Sequence, residues 1–250
     1  MIPKKIHYIW LGGKPLPKIA EKCIDSWKKF CPDYEIKRWD ESNIDLNICE
    51  YSKQAYEAKK YAFVADVARF DILHKEGGVY LDIDVELLGS LDPFLKDSAI
   101  MAFENEKAIA PGLILACEKG CESFADIIEL YKKDRFILDD GTQNLETVCD
   151  KITKYLLNFG LELNNKNQKV KEFSIYASEY FCPKSLSDGK IRKTKNTVAI
   201  HYYFASWQNK SNKFKTKVFQ FIKRILGEKT VNKLKKKKEK TNEGSSLTSK

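Results

Sequence analysis

Apolar and polar residues alternate most cleanly just after Gly77-Gly78, where Val79, Leu81, Ile83 and Val85 interleave with Tyr80, Asp82, Asp84 and Glu86. Period two reads as a strand with one buried face. It predicts Asp82 and Asp84 on one face, roughly 6–7 Å apart at about 3.3 Å per residue. Upstream, Ile6-His7-Tyr8-Ile9-Trp10-Leu11 reads as a first strand stopped by Gly12-Gly13. Helical spacing of Ile19, Cys23, Trp27 and Phe30 predicts a helix ending near Pro32, and Tyr34 to Trp39 a second strand. A helix is expected over Tyr51–Lys60. A stronger one over Ala62–Glu76 carries a stripe of Phe63, Val67 and Phe70, with Gly77-Gly78 as its stop. Strand, helix, strand, helix, strand predicts a largely parallel sheet covered by helices, with ligands at the carboxyl ends of its strands.

Further strands are expected at Ala99–Phe103 and Leu113–Cys117, and helices at Cys121–Tyr131 and Leu145–Phe159. Residues 161–200 read as short strands with polar loops, and Thr197–Phe204 as a late strand. No internal repeat is present.

Charge divides the chain. Its 250 residues carry a net charge of +9, yet residues 209–250 hold 14 Lys+Arg against 3 Asp+Glu, so residues 1–208 stand at −2. The expected organisation is therefore one nearly neutral domain, 1–208, and a basic tail, 209–250. In the tail Phe214, Val218, Phe221 or Ile222, and Ile225 fall at helical spacing beside Lys213, Lys217, Arg224 and Lys235–Lys238. That is the pattern of a basic amphipathic helix suited to an anionic membrane surface. A solvated end whose helix packs on the domain is the plainer reading. Nucleic acid is not expected as a partner, because the charge is not spread over a folded face with interleaved aromatics. The 7 cysteines are scattered without a Cys-x-x-Cys pair, which argues against zinc and a secreted disulfide scaffold. The amino-terminal residues run into a short strand rather than a signal-peptide core, and no run of ~18 apolar residues occurs. The expectation is a cytoplasmic protein held peripherally at the inner face of the cell membrane.

Two carboxylates on one strand face repel unless a cation or hydroxyl donors lie between them. A hard divalent ion with oxygen ligands suits the pair, and Mg2+ or Mn2+ bridging to a diphosphate is the usual reason to build one. An acidic pair alone is weak, since exposed strand faces often carry one; the preceding Gly-Gly, which lets a bulky ligand approach, strengthens it. Asp66 and Arg69, three apart on one helix, are either an ordinary ion pair or a carboxylate and guanidinium turned into one cleft, for sugar hydroxyls and phosphate oxygens. Trp10, ahead of Gly12, is core or a stacking platform. His201 is a buried imidazole or a third metal ligand. Ser206-Trp207 closes over a ligand or caps the domain.

Together these pieces resemble the DxD-containing glycosyltransferase family 32, which includes bacterial capsule and lipo-oligosaccharide transferases and the yeast initiating α-1,6-mannosyltransferase. Ile2 through Gly13 is similar to its opening, Ala62 through Asp84 to its central signature, and His201-Tyr202-Tyr203-Phe204-Ala205-Ser206-Trp207 to its closing His-x4-Ser-Trp motif. The resemblance spans 1–95 and 197–207 and is only an outline between them. It implies the GT-A fold, a Rossmann-like mixed α/β sheet flanked by helices. It implies sugar transfer, with retention, from a UDP- or GDP-sugar to a glycan or lipid-linked acceptor in cell-surface polysaccharide synthesis. It assigns Trp10 and Gly12 to the nucleotide, Asp66 and Arg69 to the donor sugar, and Asp82 to ribose and the metal shell. Asp84 then ligates Mn2+ or Mg2+, His201 or Ser206 completes that site, and Trp207 lies near the diphosphate. One departure puts sugar contacts in doubt: where many members carry Thr-Gly-Pro, this chain reads Asp139-Asp140-Gly141-Thr142-Gln143.

Two rivals remain at this level. A phosphatase of the haloacid-dehalogenase type would use Asp82 as nucleophile, but its motif lies on the first strand and places Thr or Val where Glu86 stands. A non-catalytic basic membrane adaptor would need the tail and not Asp84.

Overall fold

A computed structural model describes residues 1–185 and 187–204. The expected amphipathic helix of the tail, Ser206 and Trp207 lie outside the described residues. The chain separates into two compact units. The smaller comprises Lys184–Arg192 and Gln208–Lys250. Its described part is a turn closed by a bridge between Lys184 and Ile191, with Asp188 accepting from Arg192.

The larger unit, Met1–Pro183 with Lys193–Trp207, holds the fold. In chain order it runs β1 (Lys5–Ile9), α1 (Lys18–Phe30), β2 (Glu35–Trp39), α2 (Glu50–Glu57), α3 (Tyr61–Glu76), β3 (Gly78–Tyr80), β4 (Val85–Leu87), β5 (Ala99–Asn105), β6 (Ala108–Ile109), β7 (Leu115–Cys117), α4 (Glu122–Lys132), α5 (Val148–Leu157), β8 (Gln168–Val170), β9 (Phe173–Tyr176), α6 (Ser178–Phe181) and β10 (Ala199–His201). The main sheet has the order β2-β1-β3-β7-β5-β9-β8, with β6 beside β5. Strands β2, β1 and β3 are parallel, β7 is antiparallel to both β3 and β5, and β5 and β9 are parallel again. This is the expected mixed α/β architecture.

Alternation along the strands feeds a separate core on each face. Ile9, Tyr80, Met101, Phe103 and Leu115 pack on one side with Val67, Phe70 and Leu73 of α3. Ile6, Tyr8, Val79, Ile100 and Ala116 pack on the other with Cys23, Ile24 and Trp27 of α1. Because α3 lies between the sheet and α2 and α4, it is buried nearly all round rather than along one stripe; Asp66 and Arg69 are buried with it.

The structure corrects the reading of Gly77–Glu86 as one strand. β3 ends at Tyr80, residues 81–84 form a turn closed by the Val85 N–H on the Asp82 carbonyl (3.0 Å), and β4 then leaves the main sheet to pair antiparallel with β10. Leu81 still donates to the His7 carbonyl, so the chain departs at the carboxyl end of β3. Period two persists across the break because Val79, Leu81, Ile83 and Val85 all enter the same core. The two glycines also serve another purpose than ligand approach. Gly77 ends α3 at φ 68°, and a Cβ at Gly78 (φ 102°) would lie 2.9 Å from the His7 Nε2 and the Lys5 carbonyl.

His7 anchors this crossing point. One ring nitrogen meets the Gly77 carbonyl at 2.9 Å and the other accepts from the Trp39 indole at 3.1 Å. Burial pushes its pKa below the ordinary 6.5, so the folded ring is neutral. The unfolded state therefore binds a proton more readily, and the contribution of His7 is complete above about pH 6.5 and declines as pH falls below it. Melting curves of the wild type and His7→Gln between pH 8 and 5 check this: the difference in Tm shrinks toward the acid end. Phe70, fully buried against Phe124 at 5.3 Å between ring centroids, is expected to cost about 3–5 kcal/mol as Phe70→Ala in chemical denaturation.

Candidate functional site

The turn after β3 and the end of β10 meet at one point. Asp82, Asp84 and His201 each offer a ligand atom, all within 4.8 Å of one another. They are the one such group of metal-binding side chains found among the described residues. Asp84 is 6 % exposed. One of its oxygens lies 3.2 Å from the His201 Nε2, and the other accepts from the Phe204 N–H at 2.6 Å. Tyr203 makes this second bond possible. It sits at φ 55°, a left-handed conformation that is unfavourable for an aromatic residue, and it bends the chain back toward Asp84. Its ring also packs 4.3 Å from the His201 ring.

Charge follows from this geometry. Burial raises the Asp84 pKa, but His201 and the Phe204 N–H outweigh it, and the carboxyl falls below its ordinary value. Burial lowers His201 in turn, while Asp84, Asp82 and Glu104 pull it up further, and the balance is a raised pKa. The His201 Nδ1 is buried and has no hydrogen-bond partner among the described residues. Two carboxylates and an imidazole make a donor set that fits Mn2+ or Mg2+, with water or phosphate oxygens filling the remaining positions.

A second group adjoins the first. The Arg69 guanidinium lies 2.7 Å from the Asp66 carboxylate, 3.7 Å from that of Asp82, and 4.7 Å above the Tyr80 ring. Its Nε donates to the Ala65 carbonyl one turn back, which fixes the side chain along α3. The Tyr80 hydroxyl donates to Asp82 at 2.9 Å. Burial pushes Asp66 up to about 6, against the pull of Arg69 and with that of Asp82. The sequence left Asp66 and Arg69 as an ordinary ion pair or a cleft pair; the structure pairs them and brings Arg69 to Asp82.

Other expected residues fall nearby. Trp10 leaves the carboxyl end of β1 partly buried, and its indole donates to the Lys14 carbonyl at 2.6 Å. Gly12 is left-handed at φ 93°, and its N–H donates to Glu41 at 2.6 Å. Asp139 to Gln143 turn out to be an exposed loop closed by the Ile137–Gln143 bridge.

The structure also adds residues that sequence reading missed. Gly112 accepts the Asp82 N–H at 3.0 Å, and a Cβ there would land on the Asp82 carboxylate. Glu104, near the end of β5, is raised by burial, with His201 and Tyr203 pulling the other way. Cys149, near the start of α5, has Glu104, Asp66, Arg69 and Asp82 as charged surroundings. A signal existed for the last: Thr147-x-x-Asp150 is a helix start, and Thr147 accepts the Asp150 N–H.

Residues 17–101, about a third of the chain, match the family described as glycosyltransferase sugar-binding region containing DXD motif. Inositol phosphoceramide mannosyltransferase 3 of Schizosaccharomyces pombe is 38% identical over 101 residues, which is 38% of this chain and 27% of that protein. The chain thus spans about a quarter of that relative's length. An uncharacterized glycosyltransferase of Acanthamoeba polyphaga mimivirus, L373, is 25% identical over 221 residues, covering 83% of this chain and 84% of its own. Among solved structures, PaToxG glycosyltransferase is 21% identical with a TM-score of 0.48, over 63% of this chain and 68% of that one. The phosphatase alternative finds no support: the matched family includes the acidic pair itself, and Asp82 follows the third strand in chain order.

Two outcomes test this geometry. Gly112→Ala leaves the melting temperature within a few degrees but lowers Mn2+ affinity at least tenfold by calorimetry, because Asp82 is displaced. For Asp66, the folded carboxyl holds its proton up to about pH 6, above the ordinary 3.8. Its charge therefore costs stability at neutral pH, and the cost fades as pH falls through 6. The Tm of Asp66→Asn relative to wild type accordingly lies higher at pH 7.5 than at pH 5.

Proposed function

We propose that this protein is a metal-dependent glycosyltransferase that moves a hexosyl group, with retention, from a nucleotide-diphosphate sugar to a hydroxyl of a glycan or lipid-linked acceptor. The observation that carries the reading is the convergence of Asp82, Asp84 and His201 beside a buried Asp66–Arg69 pair. Asp84 and His201 would hold Mn2+ or Mg2+ with Asp82, and Ser206 is a further candidate ligand. When bound, the cation supplies positive charge to the diphosphate that departs.

The protein's own groups do the rest. Arg69 is buried and permanently charged beside Asp82, where it would counter negative charge developing on the leaving group. Asp66 accepts from hydroxyls of the transferred sugar. Trp10 stacks on the base, and Gly12 lets the nucleotide approach the backbone. Trp207 packs near the diphosphate and helps to exclude water. The acceptor hydroxyl attacks from the face that the leaving group vacates.

Cell-surface polysaccharide such as capsule is the product class that the family resemblance supports. A peripheral position at the inner face of the membrane is supported by the basic tail in the sequence. No helix among the described residues is long and apolar enough to cross a membrane.

A thermal-shift screen of UDP-, GDP- and CMP-sugars with and without Mn2+ tests the reading. One UDP- or GDP-sugar is expected to raise the Tm by several degrees only with metal present, and Asp84→Ala to abolish that shift together with transfer. No shift with any donor sinks the assignment. Full function in Asp84→Asn, lost instead on removal of 209–250, would favour a membrane adaptor.

A further inference from the structure

We infer that Cys117 and Cys121 are a redox pair: Cys121 is the thiol that exchanges with a small-molecule disulfide, and Cys117 closes the bond that links the end of β7 to the start of α4. The pair stands apart from the acidic site, and neither that site nor the transferase reading is needed for it.

All seven cysteines are free thiols, and only Cys121 and Cys149 are partly exposed; the rest are buried. Cys149 is a poor nucleophile. Burial first, and then the carboxylates of Glu104 and Asp66, hold its thiol well above the ordinary cysteine range. Cys121 is placed differently. It stands just ahead of α4, an 11-residue helix whose free N–H groups favour negative charge on a sulfur there. Its thiol donates to the Glu172 carboxylate at 3.5 Å, and the same carboxylate oxygen accepts the Ser123 N–H at 3.1 Å.

The second sulfur sits one turn of chain away. Cys117 ends β7 opposite Gly78 of β3 and is fully buried. Its thiol donates to the Leu73 carbonyl at 3.4 Å and is in hydrogen-bonding contact with the Cys121 sulfur. The chain between them doubles back at Gly120, which is left-handed at φ 81°, a conformation that glycine adopts freely. Helix α3 clamps this turn. The His74 carbonyl accepts the Gly120 N–H at 2.9 Å, and the His74 Nδ1 meets the Cys121 carbonyl at 2.9 Å. Two sulfurs in contact across a clamped turn need little backbone movement to bond. Contact with Cys121, and then burial, keep Cys117 protonated, so the exchange starts at Cys121 and Cys117 resolves it.

Oxidised glutathione represents the class of co-reactant. The Cys121 sulfur gives up its proton by way of Glu172 and attacks one glutathione sulfur. A mixed disulfide forms, the glutathione S–S bond breaks, and the departing thiolate takes up that proton. The Cys117 sulfur then attacks the Cys121 sulfur, and its proton passes to the second departing glutathione. Two protein thiols lose two electrons, and one glutathione disulfide is reduced to two thiols. The loop so closed is short, so the bond stabilises the protein modestly. It lies beside the amino end of β3, whereas Asp82 follows the carboxyl end. Where thiols are kept reduced, a disulfide of this kind is transient and reports the redox state.

The test adds oxidised glutathione to the reduced full chain, alkylates the remaining thiols and maps the peptides by mass. A Cys117–Cys121 disulfide is expected, reversed by dithiothreitol, with the Tm of the oxidised form raised by a few degrees. Cys117→Ser is expected to stop at a glutathione adduct on Cys121, and Cys121→Ser to leave Cys117 a free thiol. Wild-type Cys121 left as a free thiol, a wild-type adduct that never closes, or a disulfide from Cys121 to any other cysteine overturns the inference.

Discussion

Charge held out of water governs this molecule. Asp66, Asp84 and Arg69 are buried, with Asp82 and His201 largely so, and the group contains more carboxylates than cations. A buried carboxylate stays ionised only when something positive or hydrogen-bond donating faces it. Arg69 serves Asp66 and Asp82, while His201 and the Phe204 N–H serve Asp84. The negative charge left over is concentrated on the turn after β3, at the carboxyl edge of the parallel strands. An acidic excess in a walled site is an electrostatic demand for a cation.

The rest of the fold maintains that arrangement. α3 is sandwiched so tightly that its polar pair has nowhere to go except against the turn. Gly112 leaves room for Asp82, and the left-handed Tyr203 brings the last described residues over Asp84. Strain at Tyr203 and desolvation of Asp66 both cost stability, and the two large cores on either face of the sheet offset them.

Much of this was legible without coordinates, for identifiable reasons. The parallel β2-β1-β3 core was readable because Gly or Pro stands beside each strand and because α1 and α3 end at Pro32 and Gly77-Gly78. Asp66, Arg69, Asp82 and Asp84 stood out because acidic and basic residues inside an apolar pattern are rare and therefore informative. His201 was distinguishable mainly through the closing motif. Glu104 and Gly112 were not readable: nothing local marks a carboxyl on a strand end or a glycine in a turn as facing Asp82. The single strand expected over Gly77–Glu86 was a misreading with a cause, since a chain that turns yet returns its apolar residues to one core keeps the period of a strand.

The order of elements, the polarity of each strand and helix, and the chemical identity of the site residues are local properties, and the amino-acid sequence determined them alone. Which groups meet was decided only in three dimensions. Asp84 and His201 are separated by nearly half of the chain, Glu41 and Gly12 by a whole helix and strand, and Gly112 and Asp82 by three strands. Packing of apolar faces closes those distances, and local pattern carries no record of which loop a strand end will face.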